Sequence, residues 1–232
     1  MKNQKNEILL RVGEMVRDLE QRPPSDLTGL LEESVAGAAR FVPGAQYAGL
    51  SLISPRGLIE TPAYTHKYAV MLDDIQRRQH EGPCVSAAWE HHVIRIDDLS
   101  AEQRWPRFRR DAIATTPIRS ILSLQLFTDP KHLGALNLYA ESTGVFGDDS
   151  VELGLIFATH TALTWDIVRR DEQFKSALAS RDIIGQAKGM IMERFNVDAV
   201  QAFELLKRLS QTSNAPVAEI ARRLVHADHP PK

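Results

Sequence analysis

Apolar positions follow a helical period at both ends of the chain and a shorter one between them. Ile8, Val12, Met15 and Leu19 recur at helical spacing until Pro23-Pro24 stop the run. Ser25 or Asp26 can cap a second helix through Leu27, Leu30, Leu31, Val35 and Ala38, ending near Pro43-Gly44. The period then shortens. Ala48 to Ser54 reads as a buried strand closed by the turn signal Pro55-Arg56-Gly57. Leu58 to Thr65 is its expected partner, and Pro62 places that strand at an edge or bulge. A helix from about Ala69 to His80 ends at Glu81-Gly82-Pro83. Val93 to Ile96 follows as a short strand and Arg107 to Ala114 as a helix after Pro106. Ser120 to Phe127 and Ala135 to Ala140 are two further strands, with Asp129-Pro130 opening the connection between them.

After Asp148 no proline occurs until Pro216, and Leu155, Ala158, Ala162 and Trp165 share one helical face. Phe174, Leu178 and Arg181 continue it. The pattern fits one helix over 149–195, about 70 Å at 1.5 Å per residue, or two helices broken near Ser180. A helix of that length is unusual outside coiled coils and connectors.

Residues 181–225 parse as three short helices. Ile184, Ala187, Ile191 and Phe195 give the first an apolar stripe at i, i+3, i+7 and i+11. Asn196 tolerates a left-handed turn, and Asp198 with Gln201 has the spacing of a capping box. Ala202, Phe203, Leu206 and Leu209 are the expected buried face of the second helix. Asn214 and Pro216 restart the chain into a third, which carries Val217, Ile220, Ala221 and Leu224. Three such stripes can be buried only against one another. The tail from His226 to Lys232 is expected to fray.

Composition narrows the class. At 232 residues the chain holds one or two domains, and 43% hydrophobic with 25% charged residues describes an ordinary globular protein. No apolar run approaches the roughly 18 residues of a membrane span, and charges interrupt the N-terminal apolar pattern, which argues against a signal peptide. With the single Cys84, these features predict a cytoplasmic protein without a membrane partner. The net charge of −2 gives no general footprint for polyanions. Residues 181–225 hold seven Lys/Arg against five Asp/Glu, so a nucleic-acid site there has to be local and geometric.

Candidate chemistry is sparse. Phosphate-binding and serine-hydrolase motifs are missing from the sequence. His80, Cys84, His91 and His92 lack the spacing and the second cysteine of a structural zinc site. Cys84 reads as a small buried hydrophobe. Trp89, Trp105 and Trp165 read as core or interface residues. Arg181, Gly185, Lys188 and Met192 form a stripe beside the buried one on the first C-terminal helix. Gly185 and Gly189 each cost about 1 kcal/mol relative to alanine inside a helix, which implies that a phosphate–sugar strand or another helix comes close to the backbone. Lys207, Arg208, Arg222 and Arg223 are either contacts of the same kind or a solvated face. Ser210, Gln211 and Asn214 can contact unstacked bases or serve as caps.

The run Ala187-Lys188-Gly189-Met190-Ile191-Met192-Glu193-Arg194, with Ala202-Phe203, Leu206, Ser210-Gln211, Asn214 and Ala221 toward Val225, closely resembles the ANTAR module. The resemblance implies RNA binding and transcription antitermination downstream of a sensor. The expected partner is then a stem-loop in a nascent transcript, bound through Arg181, Gly185, Lys188, Gly189, Arg194, Lys207, Ser210, Gln211, Asn214 and Arg222. Glu81-Gly82-Pro83-Cys84, Ile121-Leu122-Ser123 and Leu133 to Leu138, in this order of elements, resemble a GAF domain over roughly 25–170. That implies a sheet with a small-molecule pocket on one face, or a pocket reduced to a scaffold. Cys84, Leu122, Leu124 and Leu126 are its expected lining, while ligand and cofactor stay unknown.

The expected architecture is therefore α+β. It has an N-terminal helix over 1–24, a GAF-like sensor over 25–170, and a connecting helix with an all-α three-helix module over 171–228. The N-terminal helix and residues 149–180 carry apolar faces in excess of what a short sensor needs, which predicts a homodimer. Three functional classes compete: an RNA-binding antiterminator, a DNA-binding regulator whose three helices dock in a major groove, and an enzyme. Some GAF-like domains reduce methionine sulfoxide, but that chemistry wants a pair of thiols.

Overall fold

The computed structural model describes residues 27–54, 57–89, 92–126 and 133–228. The expected helix over 1–24, its stop at Pro23-Pro24, the Ser25 or Asp26 cap, Pro55-Arg56, His91, Phe127, Asp129-Pro130 and the tail beyond Asp228 lie outside these residues, as does the side chain of Trp89. The chain divides into two units, one ending at Val168 and one beginning at Arg169.

In the first unit, helix α1 (Leu27–Phe41) leads into strands β1 (Tyr47–Ile53) and β2 (Ile59–Tyr64). Helices α2 (Lys67–Gln79) and α3 (Pro83–Trp89), strand β3 (Val93–Ile96) and helix α4 (Pro106–Thr115) follow. Strands β4 (Ser120–Leu126) and β5 (Leu133–Ala140) complete a five-stranded sheet in the order β2-β1-β5-β4-β3. Every neighbouring pair is antiparallel. Pro62 sits where its missing N–H is tolerated. β2 is an edge strand, and its register with β1 shifts between Leu50, opposite Ala63, and Leu52, opposite Glu60. The bulge turns Thr61 toward α2.

Alternation along the strands separates two cores. Leu50, Leu122, Leu124, Leu126, Leu136 and Leu138 pack on one face against Leu31 and Val35 of α1 and against Phe157, Ala158 and Ala162. The last three belong to helix α5 (Asp148–Phe195). Ser34 joins α1 to α5 through hydroxyl contacts to His160 Nδ1 at 3.1 Å and Thr161 Oγ1 at 2.7 Å. Ile94, Ile121, Ala135 and Tyr139 face the other way and meet Ala69, Leu72, Cys84, Ala87, Phe108 and Ala112 of the three helices α2, α3 and α4. Trp105 belongs to this second core, and Trp165 packs at the margin of the first.

The stretch expected over 149–195 is one helix, Asp148–Phe195, of 48 residues with no break near Ser180. An 18-residue window of α5 reaches a mean hydropathy of 1.2, so by length and composition it could cross a membrane. Glu152 and Asp166 still bound its longest uncharged stretch at 153–165. In this fold, 44% of that window is buried. Short helix α3 was not anticipated, because Glu81-Gly82-Pro83 reads as a simple stop. His80 does end α2, in a left-handed conformation at φ 54°.

In the second unit the C-terminal part of α5 joins helices α6 (Ala199–Ser213) and α7 (Val217–Asp228). Its buried core is small: Ala187, Ile191, Ala202, Leu206 and Ala221. Asn196 turns the chain at φ 49°. Asp198 then accepts from the Val200 and Gln201 amides at 2.9 and 2.8 Å, and Gln201 completes the capping box. Three expected core residues are not core. Phe195, Phe203 and Leu209 are 62%, 39% and 51% exposed. The seam buried on α6 is one residue wide, centred on Ala202 and Leu206, so side chains a step to either side reach solvent.

Candidate functional site

Strands β1, β4 and β5 each carry a buried polar residue at mid-strand, between apolar neighbours: Ser51, Ser123 and Asn137. All three face the α2–α3–α4 side, and Ser123 lies directly opposite Asn137 in the register. Asn137 Nδ2 donates to Ser51 Oγ at 2.7 Å. Ser51 Oγ donates in turn to Asp73 Oδ2 at 2.6 Å, where Thr61, delivered by the β2 bulge, donates at 2.9 Å. The other carboxylate oxygen accepts from Gln76 Nε2 at 3.1 Å and from the Cys84 thiol at 3.6 Å. Gln76 Oε1 accepts the Cys84 amide at 2.9 Å. Gly82, at φ 150°, permits that arrangement, since a Cβ there would lie 2.3 Å from Gln76 Oε1. Ser123 Oγ, Asn137 Oδ1 and Tyr139 OH, on the same face, are buried without a hydrogen-bond partner among the described residues.

Burial pushes the Asp73 carboxyl up to about 6, against the downward pull of the Ser51, Thr61 and Cys84 hydrogen bonds. Burial also raises the Cys84 thiol, and the neighbouring Asp73 raises it further. Tyr139 rises for the same two reasons. The sheet face therefore holds a compact polar cluster with acceptor character and a thiol kept protonated.

The pocket lining expected from the sequence does not come together. Cys84 packs in the core beneath α2, α3 and α4, whereas Leu122, Leu124 and Leu126 point to the opposite side of the sheet, against α1 and α5. The strand's period of two separates them. The residues that do gather around Cys84 are Ser51, Thr61, Asp73, Gln76, Ser123, Asn137 and Tyr139. Polar residues at mid-strand were the available sign.

In the second unit, Arg181, Gly185, Lys188 and Met192 recur at i, i+4, i+7 and i+11 on α5. Arg181 and Gly185 are exposed and Lys188 half-buried. A Cβ on Gly185 or Gly189 would meet nothing within 4 Å among the described residues. Whatever the two glycines admit, it is not another part of the described chain. Lys207 pairs with Glu204 at 3.4 Å, and Arg222 with Glu219 at 2.7 Å, on exposed helix faces. Arg223 also pairs with Glu219, at 3.0 Å, and the hydrogen bond from Arg223 leads in holding that carboxyl below its usual range.

Gln211 is exposed on α6. Ser210 donates its hydroxyl to the Ala215 carbonyl, and Asn214 caps α6 in a left-handed conformation at φ 49°. Asn214 thus ends the second helix and does not start the third; Pro216 opens that one, its carbonyl accepting from the Glu219 and Ile220 amides. Arg194 is exposed one residue before Phe195. The predicted contact residues therefore fall on the α5 stripe, on the α6–α7 joint and on exposed positions of α6 and α7.

A family model described as a GAF domain matches residues 24–166, and one described as an ANTAR domain matches residues 172–225. No curated protein matches the chain significantly. Solved structures similar to the first unit include the GAF domain of an Acinetobacter phosphoenolpyruvate-protein phosphotransferase, with 13% identity and a TM-score of 0.55 over 75% of this chain and 97% of that one. The GAF domain of the Coxiella burnetii phosphoenolpyruvate-protein phosphotransferase gives 13% and 0.52, covering 74% and 99%. The GAF domain region of a Geobacter sulfurreducens membrane protein gives 17% and 0.50, covering 62% and 95%. At these identities the likeness extends to the fold.

Proposed function

The chain belongs to the GAF domain family and carries an ANTAR domain at its C-terminus, and from that premise we propose that it is an RNA-binding transcription antitermination regulator coupled to a sensor. The ANTAR match over 172–225 carries this reading. It falls on a three-helix unit with Arg181 and Lys188 beside two glycines whose surroundings are open. A phosphate backbone needs such a surface: cations that fix the strand and bare helix backbone that lets it approach. The bound RNA is a stem-loop in a nascent transcript. Unstacked loop bases are the usual sequence-specific target, and Gln211 at the end of α6 is placed to read them.

The sensor's ligand, where it takes one, meets the Asp73–Ser51–Asn137 cluster. That cluster, which includes Cys84, takes the place of Leu122, Leu124 and Leu126 in the lining expected from the sequence, because the leucines belong to the other core. The chain acts as a regulator and not as an enzyme: its one thiol is buried and held protonated, a poor nucleophile. It works in the cytoplasm as a homodimer. Leu163, Ile167, Phe174 and Leu178 on α5 are 54%, 38%, 69% and 50% exposed at i, i+4, i+11 and i+15, an apolar stripe suited to a second copy of the same helix.

A DNA-binding regulator is the alternative, and a direct comparison separates the two. Hairpin RNAs with a randomised loop, selected on the full chain, are expected to bind more tightly than duplex DNA of the same stem. Equal affinity for both, or a preference for the duplex, overturns the RNA reading.

A further inference from the structure

Phe195 reads from the sequence as the last residue of a buried stripe, and the structure turns it out to solvent. The second unit has three aromatic residues, Phe174, Phe195 and Phe203, and its core contains none of them. All three are exposed, at 69%, 62% and 39%. Leaving so large an apolar ring in water forgoes most of its burial free energy, which a partner outside the unit would recover.

The setting of Phe195 distinguishes it from the other two. It stands seven residues beyond Lys188 on α5, close to two helical turns, and so shares the face of Arg181, Gly185, Lys188 and Met192. Neither Arg181 nor Lys188 has an ion-pair partner among the described residues, unlike Lys175, Lys207, Arg222 and Arg223. The face changes character along the helix. Phe174 and Leu178 make it apolar before Arg181; beyond that residue it is cationic, open at the glycines, and closed by the ring of Phe195. The stretch from Arg181 to Phe195 covers about 21 Å.

Resting on the RNA reading, we propose that Phe195 is a base-stacking residue: one unpaired base of the bound loop lies on its ring while Lys188 and Arg181 hold the adjoining phosphates. Every base offers a π-face, and aromatic rings beside a basic track are the general means of holding unpaired nucleotides. A second copy of the chain is the competing occupant, and charge disfavours it. In a two-fold pairing of parallel helices, Arg181 and Lys188 would each face their own copies, a repulsion that an RNA backbone turns into attraction.

The test uses the full chain and the tightest hairpin recovered from a randomised-loop pool. Phe195→Ala is expected to weaken binding roughly fivefold to a hundredfold, the range that base–aromatic stacking carries. Phe195→Trp should bind within about twofold of the parent, and the slope of log affinity against log salt should be the same in all three. Lys188→Ala should lower that slope by about one. Phe195→Ala binding as tightly as the parent overturns the proposal and leaves the RNA reading standing. The same follows if Phe195→Ala lowers the dimer fraction in sedimentation and the remaining dimer binds RNA like the parent. A parent chain that enriches no hairpin overturns the RNA reading and the stacking role with it.

Discussion

Asp73 holds the centre of the sensor's polar cluster, and its ionisation leaves a signature in stability. Its folded value of about 6 lies above the usual 3.8 because burial disfavours the charge. The groups facing it are Ser51, Thr61, Gln76 and Cys84, with Asp74 adding a further upward push. A carboxyl raised on folding contributes its full stability where both states are protonated, below about pH 4. That contribution is lost as the pH rises through 6, on the order of 3 kcal/mol in all. All three tryptophans lie in the first unit, so tryptophan fluorescence reports its unfolding selectively. The parent's midpoint should fall between pH 4 and pH 7, and Asp73→Asn should flatten that fall. An unchanged slope in the variant would show that the ionisation of Asp73 is not linked to folding. In the second unit, Leu206→Ala should cost about 2–5 kcal/mol, since the side chain is fully buried. Phe203→Ala, at 39% exposure, should cost well under half of that in chemical denaturation. Had Phe203 filled the core as its place in the sequence pattern implies, the order would be reversed.

At the scale of elements, helix α5 carries glycines that its own fold does not require. With open space around Gly185, Gly185→Ala should stabilise the second unit by up to about 1 kcal/mol in thermal melts. If an RNA strand lies against that backbone, the same substitution should weaken binding. A variant that is more stable and binds equally well would remove Gly185 from the interface. The proposed regulation runs through α5, whose helical phase an insertion changes. Four residues inserted near Ser176 change the helical phase by about 40° net, and seven nearly restore it at about −20°. Antitermination in a reporter should fall with the first insertion and recover with the second. The elements themselves were largely legible, because turn residues and changes of period mark their ends: Pro62 at the edge bulge, Asn196 at a left-handed turn, Asp198 with Gln201 at a capping box. Helix α3 was not, since the seven residues from Pro83 to Trp89 are too few to show a period. Nor were the faces. Periodicity groups the leucines of β4 with one another but does not tell which helices they meet, so the pattern alone cannot separate Leu122, Leu124 and Leu126 from Cys84, which lies on the other face of the sheet. On α6 the same reasoning put Phe203 and Leu209 inside, because apolar residues flanking a narrow seam have the spacing of a wide one.

As a whole molecule, the proposed regulator is two copies of the chain on one RNA. The apolar stripe from Leu163 to Leu178 predicts a dimer in light scattering at tens of micromolar, reduced toward monomer by Phe174→Glu with Leu178→Glu. A parent chain that stays monomeric with and without RNA contradicts the two-fold arrangement. The net charge of −2 gives little general attraction to nucleic acid, so the affinity has to come from the few placed cations of the second unit. The most direct measurement is therefore the binding of the full chain to its selected hairpin RNA and to the matching DNA duplex across a salt titration, for the parent and for Lys188→Ala. The predicted result is tighter binding to the hairpin at every salt concentration, with affinity reduced and the slope lowered by about one in the variant. Equal binding to both nucleic acids, or a variant indistinguishable from the parent, would contradict the account.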